Sequence, residues 1–170
     1  MNEEGGVLYA KYNDYSSNPI NLEKYGDQTS CKLNINLDNC LFCNNSAYHS
    51  GGAIHLDAYR KNVSLNINHS TFKNNISSVY SNYGFGGGAL YAEGIEANIK
   101  NSSFINNLAN HIYEGNSISQ DRSKGGAIAL INSAFQLNNV LIDSNRASLG
   151  GGLYLLNTTG QIRSNWNFAS

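Results

Sequence analysis

The stretch GGAIHL at Gly51–Leu56 decides the fold, because close variants of it return along the chain. The variants are GGVLYA from Gly5, GGALYA from Gly87, GGAIAL from Gly125 and GGLYLL from Gly151. Paired glycines before a short apolar run suit a tight turn that leads into a strand. A phosphate loop is disfavoured, since neither a helical segment nor a Lys-Ser/Thr pair follows the glycines.

A second motif alternates with the glycine motif. It consists of Phe or Ile, two free positions and Asn, and it occurs at Phe42–Asn45, Phe72–Asn75, Phe104–Asn107 and Ile142–Asn145. Between the two motifs, apolar and polar residues alternate with the period of two that is typical of β-strands. The shortest unit runs from Gly125 to about Gly150 and takes about 25 residues. Such a period indicates a repeat architecture.

Each unit is predicted to form three short strands, namely the glycine strand, the alternating strand and the Phe-x-x-Asn strand. One such unit has no hydrophobic partner, whereas units stacked about 4.8 Å apart enclose their inward side chains. We therefore predict an all-β parallel β-helix of four complete coils and a partial fifth. It would fill residues 1–170 as one domain, with polar insertions at Lys11–Ser30, Ala58–Lys61, Ser78–Gly86 and Asn110–Lys124.

The asparagine of each second motif is predicted to stack on its equivalents. A side-chain amide both donates and accepts, so each amide can bond to the next coil. The predicted asparagine ladder consists of Asn45, Asn75, Asn107 and Asn145. An unpaired buried amide costs about 1–3 kcal/mol, so the ladder would fix the register of the coils.

The pairing of the two motifs resembles the repeat of the chlamydial polymorphic outer membrane proteins. The matching residues are GGAI at 51 and 125, GGAL at 87 and the Phe-x-x-Asn stretches. GGVL, GGGL and IDSN depart slightly from the pattern. The resemblance implies a right-handed, pectate-lyase-like helix at a cell surface, acting as an adhesin, passenger or fibre.

Composition excludes several functions. The formal net charge is -1 without a Lys/Arg cluster, which argues against nucleic acid as a partner. No apolar run approaches the roughly 18 residues that a membrane span needs. The start MNEEGG lacks the apolar region of a signal peptide. No motif indicates a cofactor.

One outward face offers the only catalytic hypothesis. In the predicted register, Tyr9, His55, Tyr91 and Tyr154 form an aromatic surface strip that could stack on sugars or on a neighbouring chain. The next column places Asp57 beside Glu93, about 5 Å apart, which is the spacing of retaining glycosidases. With His55, these acids would form the site of a polysaccharide lyase or glycosidase. The alternative is an ordinary solvated edge.

Two kinds of modification are open to the chain. Asn-x-Ser/Thr sequons occur at Asn75, which the ladder would hide, and at the outward candidates Asn44, Asn62, Asn68, Asn101 and Asn157. The cysteines are Cys31, Cys40 and Cys43. The alignment places Cys40 with inward serines and Cys43 with outward Lys73, so a disulfide from Cys31 is the plainest expectation. A zinc site lacks a second ligand pair, and no metal is expected.

These features favour a non-enzymatic, extracellular structural or adhesive segment. Neither end carries a polar cap, so we expect the coils to continue in further repeats or in other copies, end to end in a filament. The alternative is a carbohydrate-binding or polysaccharide-cleaving β-helix that uses the face around His55, Asp57, Tyr91 and Glu93.

Overall fold

The computed structural model describes residues 7–12, 32–58, 63–79, 86–111 and 123–164, and every regular element there is a β-strand. The strands are β1 (Leu8–Tyr12), β2 (Leu33–Asp38), β3 (Leu41–Cys43), β4 (Ser46–Ala47), β5 (Ile54–Ala58), β6 (Val63–Asn68), β7 (Thr71–Lys73), β8 (Ile76–Val79), β9 (Leu90–Glu93), β10 (Glu96–Ile105), β11 (Leu108–His111), β12 (Ile128–Ile131), β13 (Ala134–Asp143), β14 (Leu153–Leu156) and β15 (Thr159–Arg163).

The strands form three sheets that the chain visits in turn. The first sheet has the order β1-β5-β9-β12-β14 and contains the glycine strands. The second sheet has the order β15-β13-β10-β6-β2, with β3 and β7 beside β10, and the third has the order β11-β8-β4. The pairings within all three sheets are parallel, for example β5 with β9 and β6 with β10. The prediction of an all-β structure with parallel sheets is confirmed, whereas handedness and coil number stay predictions.

The third strand of each unit lies elsewhere than the sequence indicated. The alternating strand and the Phe-x-x-Asn strand belong to the same sheet, and in β10 and β13 they form one continuous strand. The third sheet is instead built by short strands that follow the ladder asparagines. Their inward positions carry small residues, Ala47, Ser77 and Ala109, each at most 2% exposed.

The core consists of like residues from successive units. Ile54, Leu90 and Ile128 are in register in the first sheet and are fully buried. In the second sheet the ring of Phe72 stacks on that of Phe42 at 4.7 Å and on that of Phe104 at 4.6 Å, measured between centroids. The ring planes are nearly parallel, at interplanar angles of 5° and 1°. This in-register packing supplies the partner that a single unit lacks.

In the described pairs Gly51-Gly52, Gly87-Gly88 and Gly125-Gly126, the two glycines are required for different reasons. The first, as in Gly87, adopts a φ of 71°, which side chains with a Cβ rarely allow. The second has no room: a Cβ on Gly88 would lie 2.0 Å from the carbonyl oxygen of Gly126 and 2.6 Å from the backbone nitrogen of Leu108. The glycine pairs therefore bring the turns of neighbouring units into backbone contact.

Left-handed backbone at the corners explains much of the asparagine content. Among the described residues, eight of the ten non-glycine residues with positive φ are asparagines. They are Asn39, Asn44, Asn74, Asn101, Asn106, Asn132, Asn139 and Asn157. Asparagine tolerates this region better than most residues because its short polar side chain can bond locally. In the doublets Asn44-Asn45, Asn74-Asn75 and Asn106-Asn107, the first residue makes the turn and the second enters the ladder.

Ser77 is expected to weaken the structure. Its side chain is fully buried, and its hydroxyl has no hydrogen-bond partner among the described residues. We expect Ser77→Ala to raise the free energy of unfolding by about 1 kcal/mol, because the desolvated hydroxyl is removed and alanine already occupies positions 47 and 109. Urea denaturation followed by circular dichroism measures the change.

Ser102→Ala is the matched control for this substitution. The Ser102 hydroxyl accepts from the backbone nitrogen of Ser70 at 3.1 Å and donates to the carbonyl oxygen of Lys100 at 2.6 Å. Its removal is expected to lower the free energy of unfolding by about 1–3 kcal/mol. If Ser77→Ala lowered the free energy of unfolding as much as Ser102→Ala does, the described difference in hydrogen bonding between the two serines would be contradicted.

Candidate functional site

The predicted asparagine ladder is present as a hydrogen-bonded column. Asn45 Nδ2 donates to Asn75 Oδ1, Asn75 Nδ2 to Asn107 Oδ1, and Asn107 Nδ2 to Asn145 Oδ1, each at 2.9 Å. The same oxygens accept from the backbone nitrogens of the preceding ladder residues at 2.8–3.1 Å. Each amide therefore fixes both the side chain and the backbone of the neighbouring unit.

The remaining protons of the ladder amides bind main-chain carbonyl groups. Asn75 Nδ2 also donates to Phe42 O and Asn107 Nδ2 to Phe72 O, both at 3.1 Å. Asn75 and Asn107 are 0% and 1% exposed, so these bonds are desolvated. Because the amides of Asn75 and Asn107 are occupied on every side, this inner part of the ladder holds the units in register and offers no group to a ligand.

The outward face of the first sheet has the register that the glycine motif predicts. Tyr9, His55, Tyr91, Ala129 and Tyr154 follow one another in register across the five strands. The prediction of an aromatic surface strip is nevertheless wrong for its centre, where His55 is 6% and Tyr91 1% exposed. Their rings stack at 4.8 Å between centroids. The side chain of Tyr9 lies outside the described part.

Tyr154 on β14 is the last member of this register column, next to Ala129 on β12. Its side chain is half-buried, and Lys124 Nζ lies 5.3 Å from the ring centroid. A cation at this distance over a ring face is attracted by the ring quadrupole. The column thus combines ring stacking with a cation contact.

The two candidate acids are register neighbours, but Glu93 is already engaged. Asp57 pairs with Glu93 across β5 and β9, and both are half-buried. Glu93 Oε2 accepts from the hydroxyl of Tyr91 at 2.9 Å, and Oε1 accepts from Asn132 Nδ2 at 3.0 Å. Both carboxylate oxygens therefore orient neighbouring side chains.

The imidazole of His55 forms a hydrogen bond with Ser50, a residue that the sequence analysis did not identify. Ser50 Oγ lies 2.7 Å from His55 Nδ1, and Ser50 is 1% exposed. A serine–histidine pair is also the arrangement of an activated nucleophile, but such a nucleophile must reach substrate. This hydroxyl is buried, so the contact positions the imidazole. Ser50 has no counterpart at Gly86 or Lys124, which take its place in later units, so no repeat pattern could have revealed it.

The described sequons differ in how far their amides are free. Asn44 is exposed and accepts from Asn74, while its own Nδ2 has no acceptor among the described residues. Asn68, Asn101 and Asn157 each donate an Nδ2 proton to an asparagine or aspartate of a neighbouring unit. Asn75 is buried in the ladder, and Asn62 lies outside the described residues. Among the described sequons, Asn44 is therefore the one whose amide is best placed for a glycan.

The expected disulfide involves Cys31, so that prediction lies outside the described residues. Cys40 and Cys43 are free thiols, half-buried and exposed respectively, and Cys31 lies outside the described residues. Cys40 occupies the place of Ser70, to whose hydroxyl its backbone nitrogen donates at 3.1 Å. Cys43 pairs with Lys73, as the alignment indicated. Within the described ranges, no three His, Cys, Asp or Glu side chains gather in a way that could hold a metal ion.

Among the described residues, no helix has the length and apolarity that crossing a bilayer requires.

Residues 39–57 match the model of the Chlamydia polymorphic membrane protein repeat. This stretch contains the left-handed corner at Asn39, the Phe42–Asn45 motif with its ladder amide, and the Gly51-Gly52 turn into β5. Comparison with curated proteins gave no match, and comparison with solved structures gave none. Residues 39–57, where the ladder turn and the double-glycine turn follow one another, are therefore similar to the Chlamydia polymorphic membrane protein repeat.

Proposed function

We propose that this chain is a segment of a right-handed parallel β-helix on a cell surface, where it serves as a rigid structural or adhesive element. Four complete coils and a partial fifth would make up residues 1–170. The observation that carries the proposal is the ladder from Asn45 to Asn145, whose amides bond unit to unit without a break. Units locked in this way form a stiff rod, and the matched repeat is named after membrane proteins.

The coils are proposed to continue at both ends of the rod, in further repeats or in other copies of the chain. What supports this is the exposure of core-facing positions on the outermost strands. Leu33 on β2 is 47% exposed and Ile162 on β15 is 61% exposed, whereas their register equivalents Val63 and Leu137 are buried. Electron microscopy of concentrated protein tests the version with other copies, because monodisperse single particles would contradict it.

We propose that the segment is not an enzyme. Support comes from the engaged carboxylate of Glu93 and from the burial of His55 and Tyr91. The alternative is a polysaccharide lyase or glycosidase that uses Asp57 and Glu93. Incubation with acidic polysaccharides is expected to give no shorter products. Depolymerisation that is lost in both Asp57→Asn and Glu93→Gln would establish the alternative.

Surface labelling of intact cells that carry the natural protein tests the location. Lys73 and Lys100 have exposed side chains on the second sheet, so a membrane-impermeant amine reagent can reach them in a surface protein. We expect both lysines to be labelled before lysis, as read by mass spectrometry of peptides. Labelling that occurs only after the cells are lysed would overturn the proposed surface location.

The intact mass of the same purified protein reports its modifications. If the chain passes through a eukaryotic secretory route, we expect a glycan first at Asn44, because its amide nitrogen is free and exposed. A glycan on Asn75 would contradict the ladder, since both protons of that amide are bound inside the structure. The same mass shows whether Cys31 pairs with an external thiol.

A further inference from the structure

The outward face of the second sheet carries a polar concavity that the sequence did not indicate. It has a volume of about 600 Å³ and spans β10, β13 and β15. Its polar lining comes from Glu96, Asn98, Gln136, Thr159, Gln161 and Arg163. Ala134 lies in register between Glu96 and Thr159, and its short side chain lowers the surface there. The volume falls within the range of about 300–1,000 Å³ that small-ligand sites occupy.

Polar groups at this concavity are available to a ligand, because a second column of side-chain amides on the outside of the sheet ends there. In earlier units Asn66 Nδ2 donates to Asn36 Oδ1 at 2.9 Å, and Asn98 Nδ2 donates to Asn66 Oδ1 at 3.2 Å. The next member is Gln136, whose exposed amide has no partner among the described residues. Asn98 Oδ1 and both polar atoms of Gln136 are therefore available to a ligand.

The two ends of the concavity differ in charge: one carries the guanidinium of Arg163, and the other carries a carboxylate, Glu96, that is paired with a lysine. At one end Arg163 donates from Nε and Nη2 to Gln161 Oε1, at 3.1 and 2.6 Å, which fixes the guanidinium against the sheet. Within the described ranges no carboxylate lies within ion-pair distance of Arg163, so Nη1 and the Gln161 amide nitrogen remain as donors. At the other end Glu96 uses Oε2 for Ser64 and Lys32, at 3.3 and 3.7 Å, and keeps Oε1.

From this arrangement we infer that the concavity binds a short oligosaccharide in which uronic acid and neutral sugar units alternate. The carboxylate of one uronate pairs with Arg163 in a charge-assisted contact. Neighbouring hydroxyl or acetamido groups bond to the planar amides of Gln136 and Asn98. A neutral unit lies at Glu96, because the remaining oxygen Oε1 accepts from a sugar hydroxyl group and a carboxylate has no proton to donate to it. Strand spacing and rise place Glu96 and Arg163 about 16 Å apart, which is the reach of three to four sugar units.

The inference adds a ligand to the proposed surface role, and the two fail separately. If the protein is labelled at Lys73 and Lys100 on intact cells but binds no sugar, only the sugar site is refuted. If it binds sugar but is labelled only after lysis, only the surface location is refuted.

Titration of the full chain with a hyaluronan tetrasaccharide, followed by nuclear magnetic resonance, tests the inference. We expect amide shifts confined to residues 96–98, 134–136 and 159–163. Arg163→Ala and Gln136→Ala are each expected to weaken binding at least about tenfold. Lys73→Ala removes an exposed cation from the same sheet outside the concavity and is expected to leave binding unchanged.

Neutral and fully acidic sugars complete the test. A chitin tetrasaccharide lacks the carboxylate, and a tetragalacturonate places an acceptor carboxylate where Glu96 Oε1 needs a donor hydroxyl group, so both are expected to bind at least about tenfold more weakly. Absence of shifts at millimolar hyaluronan tetrasaccharide would overturn the site. Equal weakening by Lys73→Ala, or equal binding of tetragalacturonate, would overturn the assigned ligand.

Discussion

Gly88→Ala is expected to prevent the chain from folding. The added methyl group would lie 2.0 Å from the carbonyl oxygen of Gly126 and 2.6–2.7 Å from backbone atoms of Leu108. These contacts are with main chain on two sides, so relief requires the turn of the next unit to move away. That movement would break the bond from Gly88 N to Gly125 O, which is 3.1 Å long. We expect a loss of more than about 4 kcal/mol, seen as insoluble protein or as a lost urea transition.

Gly94→Asn is the control for the glycine turns. Gly94 also has positive φ, at 69°, but the equivalent positions in the next two units are Asn132 and Asn157, at 50° and 52°. Asparagine is therefore expected there with a change below about 1 kcal/mol. If Gly88→Ala unfolded at the same urea concentration as the parent, the close packing of the glycine turns would be refuted.

Asn107→Ala is expected to cost about 3–5 kcal/mol of folding free energy. The Asn107 side chain donates to Asn145 Oδ1 and Phe72 O and accepts from the side chain and backbone of Asn75. Its removal leaves several buried groups without partners, and each such group carries a desolvation cost. Urea denaturation followed by circular dichroism in the far ultraviolet measures the loss.

Asn106→Gly provides the matched control at the adjacent position. Asn106 is exposed, has a φ of 54° and donates to Asn74 Oδ1 at 2.8 Å on the outside of the turn. Glycine keeps the left-handed backbone, so the expected loss is below about 1 kcal/mol. Comparable losses in Asn106→Gly and Asn107→Ala would mean that the inner ladder has no special role in stability.

The sequence predicted those parts of the fold in which the same residue types recur at the same offset in successive units. Asn75 and Asn107 could be placed in one column because their neighbours Phe72 and Phe104 repeat at the same offset. Stacking of parallel strands then requires like residues to meet, and the hydrogen bonds between the amides have that register. The third sheet was missed because its strands have two to four residues, too few to show an alternation.

The outward face of the first sheet was only partly predictable. Alternation along a strand tells on which side of the sheet His55 and Tyr91 lie, but it does not tell what covers that side. Their burial, and the contact of His55 with Ser50, depend on neighbours outside the repeat pattern. The concavity near Gln136 was missed for a similar reason, since it arises where the repeat changes from asparagine to a longer amide.

A crystal structure of the chain tests most directly whether its units lie directly over one another. It is predicted to show the Phe72 ring between those of Phe42 and Phe104, with centroids 4.7 and 4.6 Å away. The amides of Asn75 and Asn107 should bond in the same column. Phenylalanine rings in separate environments, with the two asparagines apart, would contradict the stacked arrangement and every proposal built on it.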